Sequence, residues 1–261
     1  MFRINRAFIA AALCAAFAAC GGSDPAKSAE PSSPAAAPDA KKVDAGTAAA
    51  ITGTVVLEGT PPANPVIKMA SDPACSAANT GDVLAESFVV DNGGLQNAFV
   101  YIRDGLGNKY IFDTPTDPVK LDQKGCRYVP HVVGLRTTQP LEVSNSDATL
   151  HNVHGMPDTN REFNVGQPVA GMKNTVTFTT PEVMVPFKCD VHSWMSAYVG
   201  VVSHPYFAVS GGGGKFELRT IPPGTYTIEA WHEKLGRQEQ TVTLGEKDSK
   251  DITFTFKVAA Q

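Results

Sequence analysis

Between residues 187 and 195 the chain reads Phe187-Lys188-Cys189-Asp190-Val191-His192-Ser193-Trp194-Met195, setting a thiol, an imidazole and a thioether three residues apart. The segment follows a strand-like run, and a tight loop at a sheet end can aim all three side chains inward at one point. Upstream, Leu141-Glu142-Val143-Ser144-Asn145-Ser146-Asp147 is followed by Leu150-His151-Asn152-Val153, so a second imidazole arrives from a different strand. With 6 His and 6 Met in 261 residues, a given Cys acquires His at +3 and Met at +6 by chance roughly once in 1,900 trials.

Outward from that loop the pattern is strand throughout. Ile51 to Glu58, Ala98 to Ile102, Leu141 to Ser144, Asn174 to Thr179, Ala197 to Val202, Lys215 to Arg219, Thr225 to Trp231 and Asp251 to Phe256 are short and rich in β-branched and aromatic residues. Gly, Pro, Asn or Asp bound them. Alternation predicts Tyr226, Ile228 and Ala230 on one face, with Thr225, Thr227 and Glu229 on the other. No stretch of helix length keeps an apolar stripe at the helical period, so the expected fold is all-β, of sandwich or barrel type. A 43% hydrophobic fraction is enough for a core, and 22 basic against 26 acidic residues argue against a nucleic-acid-binding surface. Past the N-terminus no apolar stretch is long enough for a membrane-spanning helix.

The ligand types at the loop discriminate among metals. Structural zinc would want four strong ligands, usually with paired Cys, and hard cations want carboxylates and carbonyls, which the loop lacks apart from Asp190. Two His, one Cys and a weak axial Met form the trigonal set that suits one electron-transfer copper ion. His151 and His154 compete as the upstream imidazole, because alternation turns them to opposite faces. His131, five residues after Cys126, could found a second metal site, but no further soft ligand lies beside it and a core or surface role is expected. Trp194, between two of the proposed ligands, could cover the metal, dock a partner or simply pack.

The N-terminus reads as an address. Arg3 and Arg6 precede an apolar run from Ala7 to Ala19, which has the shape of a secretory signal over residues 1–19. It ends Phe17-Ala18-Ala19-Cys20-Gly21, which resembles a bacterial lipobox and marks Cys20 for lipidation. Of the 30 residues from Cys20 to Ala49, 20 are Ala, Pro, Ser or Gly, so residues 20–49 are expected to be a disordered tether. Gly21 lacks the character of an inner-membrane retention signal, which favours the outer membrane, facing the periplasm. Cys75 and Cys126 remain as a disulfide pair in that oxidising compartment, the alternative being two unpaired buried thiols. The chain-entropy model gives such a bridge about 4 kcal/mol, and its expected value is structural only.

Taken together, Tyr128-Val129-Pro130, Leu141 through Asn145, His151-Asn152-Val153 and Cys189-x-x-His192-x-x-Met195 resemble the cupredoxins, the plastocyanin- and amicyanin-like blue copper proteins. The resemblance implies a Greek-key sandwich with a type 1 copper ion near one end. It makes His151 the upstream imidazole ligand, Cys189 the thiolate, His192 an exposed imidazole and Met195 the axial thioether. Asn152 falls where the family steadies the Cys-bearing loop. The flanks, Ile51-Thr52-Gly53-Thr54-Val55 with Glu58-Gly59 and Gly214 through Leu218 with Ile221-Pro222-Pro223-Gly224-Thr225-Tyr226, resemble the two halves of a carboxypeptidase regulatory-like, transthyretin-related sandwich. The expected organisation is a second, discontinuous sandwich of residues 50–118 with 205–258, hosting a cupredoxin domain at 119–204.

The expected role is one-electron transfer in the bacterial cell envelope, with the edge of His192, ringed by Trp194 and apolar neighbours, as the transfer port. A cytochrome or copper oxidase would be the redox partner, reached through the lipid anchor. Alternatives are copper storage or delivery, and an envelope binding module with a structural metal. Catalysis is not expected, since the 6 His are dispersed and an additional copper centre would need several more.

Overall fold

The computed structural model describes residues 37–258, and nearly all of their regular structure is strand. The export signal and Cys20 lie outside the described residues, as does the first part of the expected tether. From Ala37 onward that tether is tied down. Ala37 N–H donates to the Asn108 carbonyl at 3.0 Å, Lys41 N–H to the Lys109 carbonyl at 3.1 Å, and the first strand opens at Ala49.

The strands form four sheets. The first contains Lys215–Ile221, Ala49–Glu58, Gly94–Leu95 and Val90–Asp91 in that order, with Ser249–Lys257 parallel to Ala49–Glu58. The second orders Phe207–Val209, Phe99–Asp104, Gly224–His232 and Gly236–Leu244. The third orders Phe163–Gln167, His151–Gly155, Glu182–Lys188, Ser196–Val202 and Val132–Arg136. The fourth orders Lys173–Val176, Leu141–Asn145, Val119–Gln123 and Tyr128–Val129. Strands from residues 49–104 and 207–257 pair only with one another, as do those from residues 119–202. Neighbours in the sheets are often not neighbours in sequence, and Ser196–Val202 with Val132–Arg136 is a parallel pair made by a long crossover.

Three apolar layers hold these sheets face to face. Ile51, Val55, Phe254 and Phe256 of the first sheet meet Val100, Ile102, Tyr226 and Ile228 of the second. Leu121, Leu141 and Val143 of the fourth meet Val185, Phe187, Val199 and Val201 of the third. Between these two sandwiches Phe99 and Tyr101 of the second sheet face Val132 and Val202 of the third, joined by Tyr198, Phe207 and Trp231. Phe99–Asp104 is therefore buried on both faces along most of its length, with Phe99, Val100, Tyr101 and Ile102 all inside. Burial on both faces replaces the usual alternation with a continuous apolar run.

The same double coverage buries part of the second face of Gly224–His232 as well. Tyr226, Ile228 and Ala230 do face the core, but Glu229 on the opposite face is also buried, at 1% exposure. Its carboxylate accepts from the Tyr101 hydroxyl at 3.0 Å and lies 3.4 Å from Arg237 Nε. Here the third sheet lies across this face.

Two glycines let the middle layer close. A methyl group at Gly200 would sit 2.5 Å from the Phe99 ring, and one at Gly134 would sit 2.5 Å from the Phe207 ring. Both contacts are far inside van der Waals distance, so the third sheet needs bare backbone where these rings press on it. Overpacking at such a point costs about 1–3 kcal/mol. Gly200→Ala is expected to lower stability by that amount in guanidinium denaturation, whereas an alanine at solvent-facing Gly166, with open space around it, should change little.

Candidate metal centre

Two adjacent strands of the third sheet set up the site. His151 opens His151–Gly155, and Cys189 directly follows Glu182–Lys188, which pairs with it antiparallel through Phe187 to Gly155 and Lys188 to His154. Beyond Cys189 the chain turns tightly into Ser196–Val202. Met195 N–H donates to the His192 carbonyl at 2.9 Å and Cys189 N–H to the Met195 carbonyl at 3.3 Å. This turn folds His192 back beside Cys189 and buries Met195 in the apolar cluster that also contains Cys189. The Tyr128 hydroxyl lies 3.1 Å from the Asn152 carbonyl and 3.0 Å from that of Lys188, clamping the two strand ends together.

Three donor atoms converge. His151 Nδ1 is 2.9 Å from His192 Nδ1, and Cys189 Sγ is 4.0 Å from the first and 3.9 Å from the second. A triangle with these sides has its circumcentre about 2.1 Å from every corner, close to the bond lengths that imidazole nitrogen and thiolate sulfur take to a first-row transition ion. Residues 151, 189, 192 and 195 are all buried. The soft sulfur and two imidazoles on this triangle fit such an ion, and among the described residues no carboxylate joins these three donors, as a hard cation would want.

The surroundings hold these donors in place. Asn152 Oδ1 accepts from Cys189 Sγ at 3.3 Å, from Asp190 N–H at 2.7 Å and from Val191 N–H at 3.3 Å, and so tethers the Cys loop to the neighbouring strand. Both imidazoles turn their far nitrogens to carboxylates. His151 Nε2 is 3.0 Å from Asp147 Oδ2, and His192 Nε2 is 2.9 Å from Asp72 Oδ2. Carboxylates behind ligating imidazoles fix the tautomer and raise ligand basicity.

The electrostatics follow from this packing. Burial works to lower the His151 pKa, but the Asp147 carboxylate and the Cys189 sulfur outweigh it and push it up to about 9. Burial works to raise that of Cys189. The bond with His151 and backbone N–H groups overcome it, and the thiol is held below its ordinary value. His192, with help from Thr149, draws Asp72 down to about 2.

One placement differs from expectation. His192 is not an exposed edge. It is 3% exposed, covered by the irregular excursion that leaves the first sheet after Glu58 and carries Asp72 and the short helix Pro73–Ala78. The disulfide does form between Cys75 and Cys126, and Cys75 Sγ lies 3.7 Å from His192 Nε2. Trp194 packs its ring 4.9 Å from that of His192 and donates Nε1–H to the Cys126 carbonyl at 3.0 Å, so it joins the turn to the disulfide. His154 points away from the triangle, between Asp190 and Glu162 at 2.9 and 2.8 Å. His131 is buried against Glu233 at 2.7 Å and the Ser196 carbonyl at 3.1 Å.

Sequence reading passed over Asp72 and Asp147. Asp147 stands four residues before His151 and could have been paired with it by proximity alone. Asp72 is 120 residues from His192, and Asp72-Pro73 signals a helix start and nothing about the candidate donors.

No protein-family model matches the chain, and no curated protein matches it. Solved structures similar to part of it include an oxidised amicyanin variant, 19% identical, covering 32% of this chain and 81% of that one with a TM-score of 0.30. A purple cupredoxin from Nitrosopumilus maritimus is 16% identical over 31% of this chain and 97% of that one, with a TM-score of 0.28. A copper-containing nitrite reductase from Thermus scotoductus is 20% identical over 37% of this chain and 24% of that one, with a TM-score of 0.29.

The titration of Cys189 checks this arrangement in the metal-free chain. Its ultraviolet thiolate absorbance, taken as the difference from Cys189→Ser, is expected to rise at lower pH than that of an ordinary cysteine. His151→Ala removes the main hydrogen bond that favours the thiolate and should move the rise to higher pH; an unmoved curve would mean that His151 does not act on the sulfur.

Proposed function

We propose that this chain is a one-electron carrier of the bacterial cell envelope that holds a single type 1 copper ion on His151, Cys189 and His192, with Met195 as a weak axial ligand. The observation that supports the reading is the buried triangle of one sulfur and two Nδ1 atoms, whose centre lies at bonding distance from all three. The ion would supply reversible one-electron chemistry. A donor set of soft and borderline ligands lies between the preferences of the two copper oxidation states, so the protein would need little rearrangement on a change of oxidation state. The protein's part is to keep the donors fixed and dry: Asn152 restrains the Cys loop, Trp194 seals the turn, and Asp147 and Asp72 hold the two rings.

In this reading residues 119–204 are the copper domain, and residues 50–118 with 205–258 are its discontinuous carboxypeptidase regulatory-like host. Lipidation at Cys20 anchors the protein in the outer membrane facing the periplasm, where a cytochrome or a copper oxidase exchanges electrons with it. Storage or delivery of copper calls for open, exchangeable ligands, and the buried donors here favour retention.

Adding Cu(II) to the purified chain is expected to produce an intense visible thiolate-to-copper band that ascorbate bleaches reversibly and Cys189→Ser abolishes. Copper that binds without this colour, in several rapidly exchanging equivalents, would favour delivery; no uptake would leave the binding module as the better account.

A further inference from the structure

The excursion that leaves the first sheet after Glu58 and rejoins it at Val90 brings one carboxylate to the candidate metal centre from far along the chain, and its two oxygens have separate tasks. Asp72 Oδ1 caps the helix Pro73–Ala78, accepting from Ala74 N–H at 2.8 Å and Cys75 N–H at 3.1 Å. Asp72 Oδ2 faces His192 Nε2 at 2.9 Å and accepts from the Thr149 hydroxyl at 2.8 Å. Three residues on, Cys75 is bonded to Cys126, whose carbonyl takes the Trp194 indole and whose N–H donates to Asp147 at 2.8 Å. Helix cap, hydroxyl and disulfide therefore hold Asp72 in position over the ring.

We infer that Asp72 is a positioning residue of this centre: it occupies the outer edge of His192, keeps that ring with Nδ1 turned to the metal, and biases the bound ion toward its oxidised state. The inference rests on the copper reading proposed above. A ring whose Nε2 carries the proton donated to a carboxylate presents the Nδ1 lone pair on its other side. Electron density passed to the imidazole strengthens its bond to the more highly charged ion more than to the less charged one, which lowers the reduction potential. The covered edge has a second consequence. The excursion and its disulfide, and not the imidazole itself, form the surface at this end.

Asp72→Asn separates these tasks. Asn caps helices about as well as Asp, and its Oδ1 can keep both backbone bonds, while an amide N–H in place of Oδ2 opposes the N–H of His192. In the full chain loaded with one equivalent of copper, chelator competition is expected to show Cu(II) affinity about 10–100-fold weaker than wild type. Cu(I) affinity should fall less, so the reduction potential measured by spectroelectrochemical titration moves positive. Thr149→Val removes the donor that competes with His192 for Oδ2, should strengthen that bond and move the potential negative by a smaller amount, and serves if Asp72→Asn does not fold. Affinity and potential equal to wild type in the folded variants, with the thiolate-to-copper band intact in the wild type, would overturn the role of Asp72 and leave the copper reading standing. A wild-type chain that never develops the band would overturn the copper reading, and this inference with it.

Discussion

Burying a thiol and two imidazoles at one point is costly unless every polar atom that does not face the centre has a partner. The molecule meets that requirement at each ring. The outward nitrogen of His151 has Asp147, that of His192 has Asp72, and the Cys189 sulfur has the Asn152 amide oxygen. Asp72 and Asn152 come from segments distant in sequence from the group that each supports, Asp147 from only four residues upstream of its ring, and each is satisfied in turn by backbone N–H groups of its own. Asp147 accepts from Gly125 and Cys126, Asp72 from Ala74 and Cys75, and Asn152 from Asp190 and Val191. The centre is thus the inner end of a polar network that reaches loops on several sides.

That network explains why the disulfide stands where it does. Cys75 belongs to the excursion that covers His192, and Cys126 to the loop that holds Asp147. A single covalent bond therefore joins the supports of both imidazoles. Loop segments with few backbone ladder bonds are poorly determined by themselves, and a cross-link between two of them limits the positions that either carboxylate can take.

The stacking of four sheets serves the same end from below. Strands His151–Gly155 and Glu182–Lys188, which deliver two of the donors, belong to a sheet packed on both faces, against Leu121 and Leu141 on one side and Phe99 and Tyr101 on the other. Sheet elements clamped in this way are more precise carriers of a site than free loops. The turn from Cys189 to Met195 is short enough to inherit that rigidity through two backbone hydrogen bonds.

Much of this was legible before any coordinates. Short runs of β-branched residues between turn formers determined an all-β chain, because period-2 patterning is a local property of strands. The spacing of Cys189, His192 and Met195 determined one half of the candidate centre, since a single turn carries all three. His151 and Asn152 could be added through a resemblance, and Cys75 with Cys126 through cysteine counting. Tertiary structure alone decided which face of His192 is open, because the covering segment is 120 residues away and nothing in its local sequence encodes contact with an imidazole. It also decided that Glu229 is buried, since strand alternation distinguishes two faces but cannot tell whether a second sheet lies across the outer one. Local chemistry set the elements and the donor types; long-range packing set access to the site and the charges that surround it.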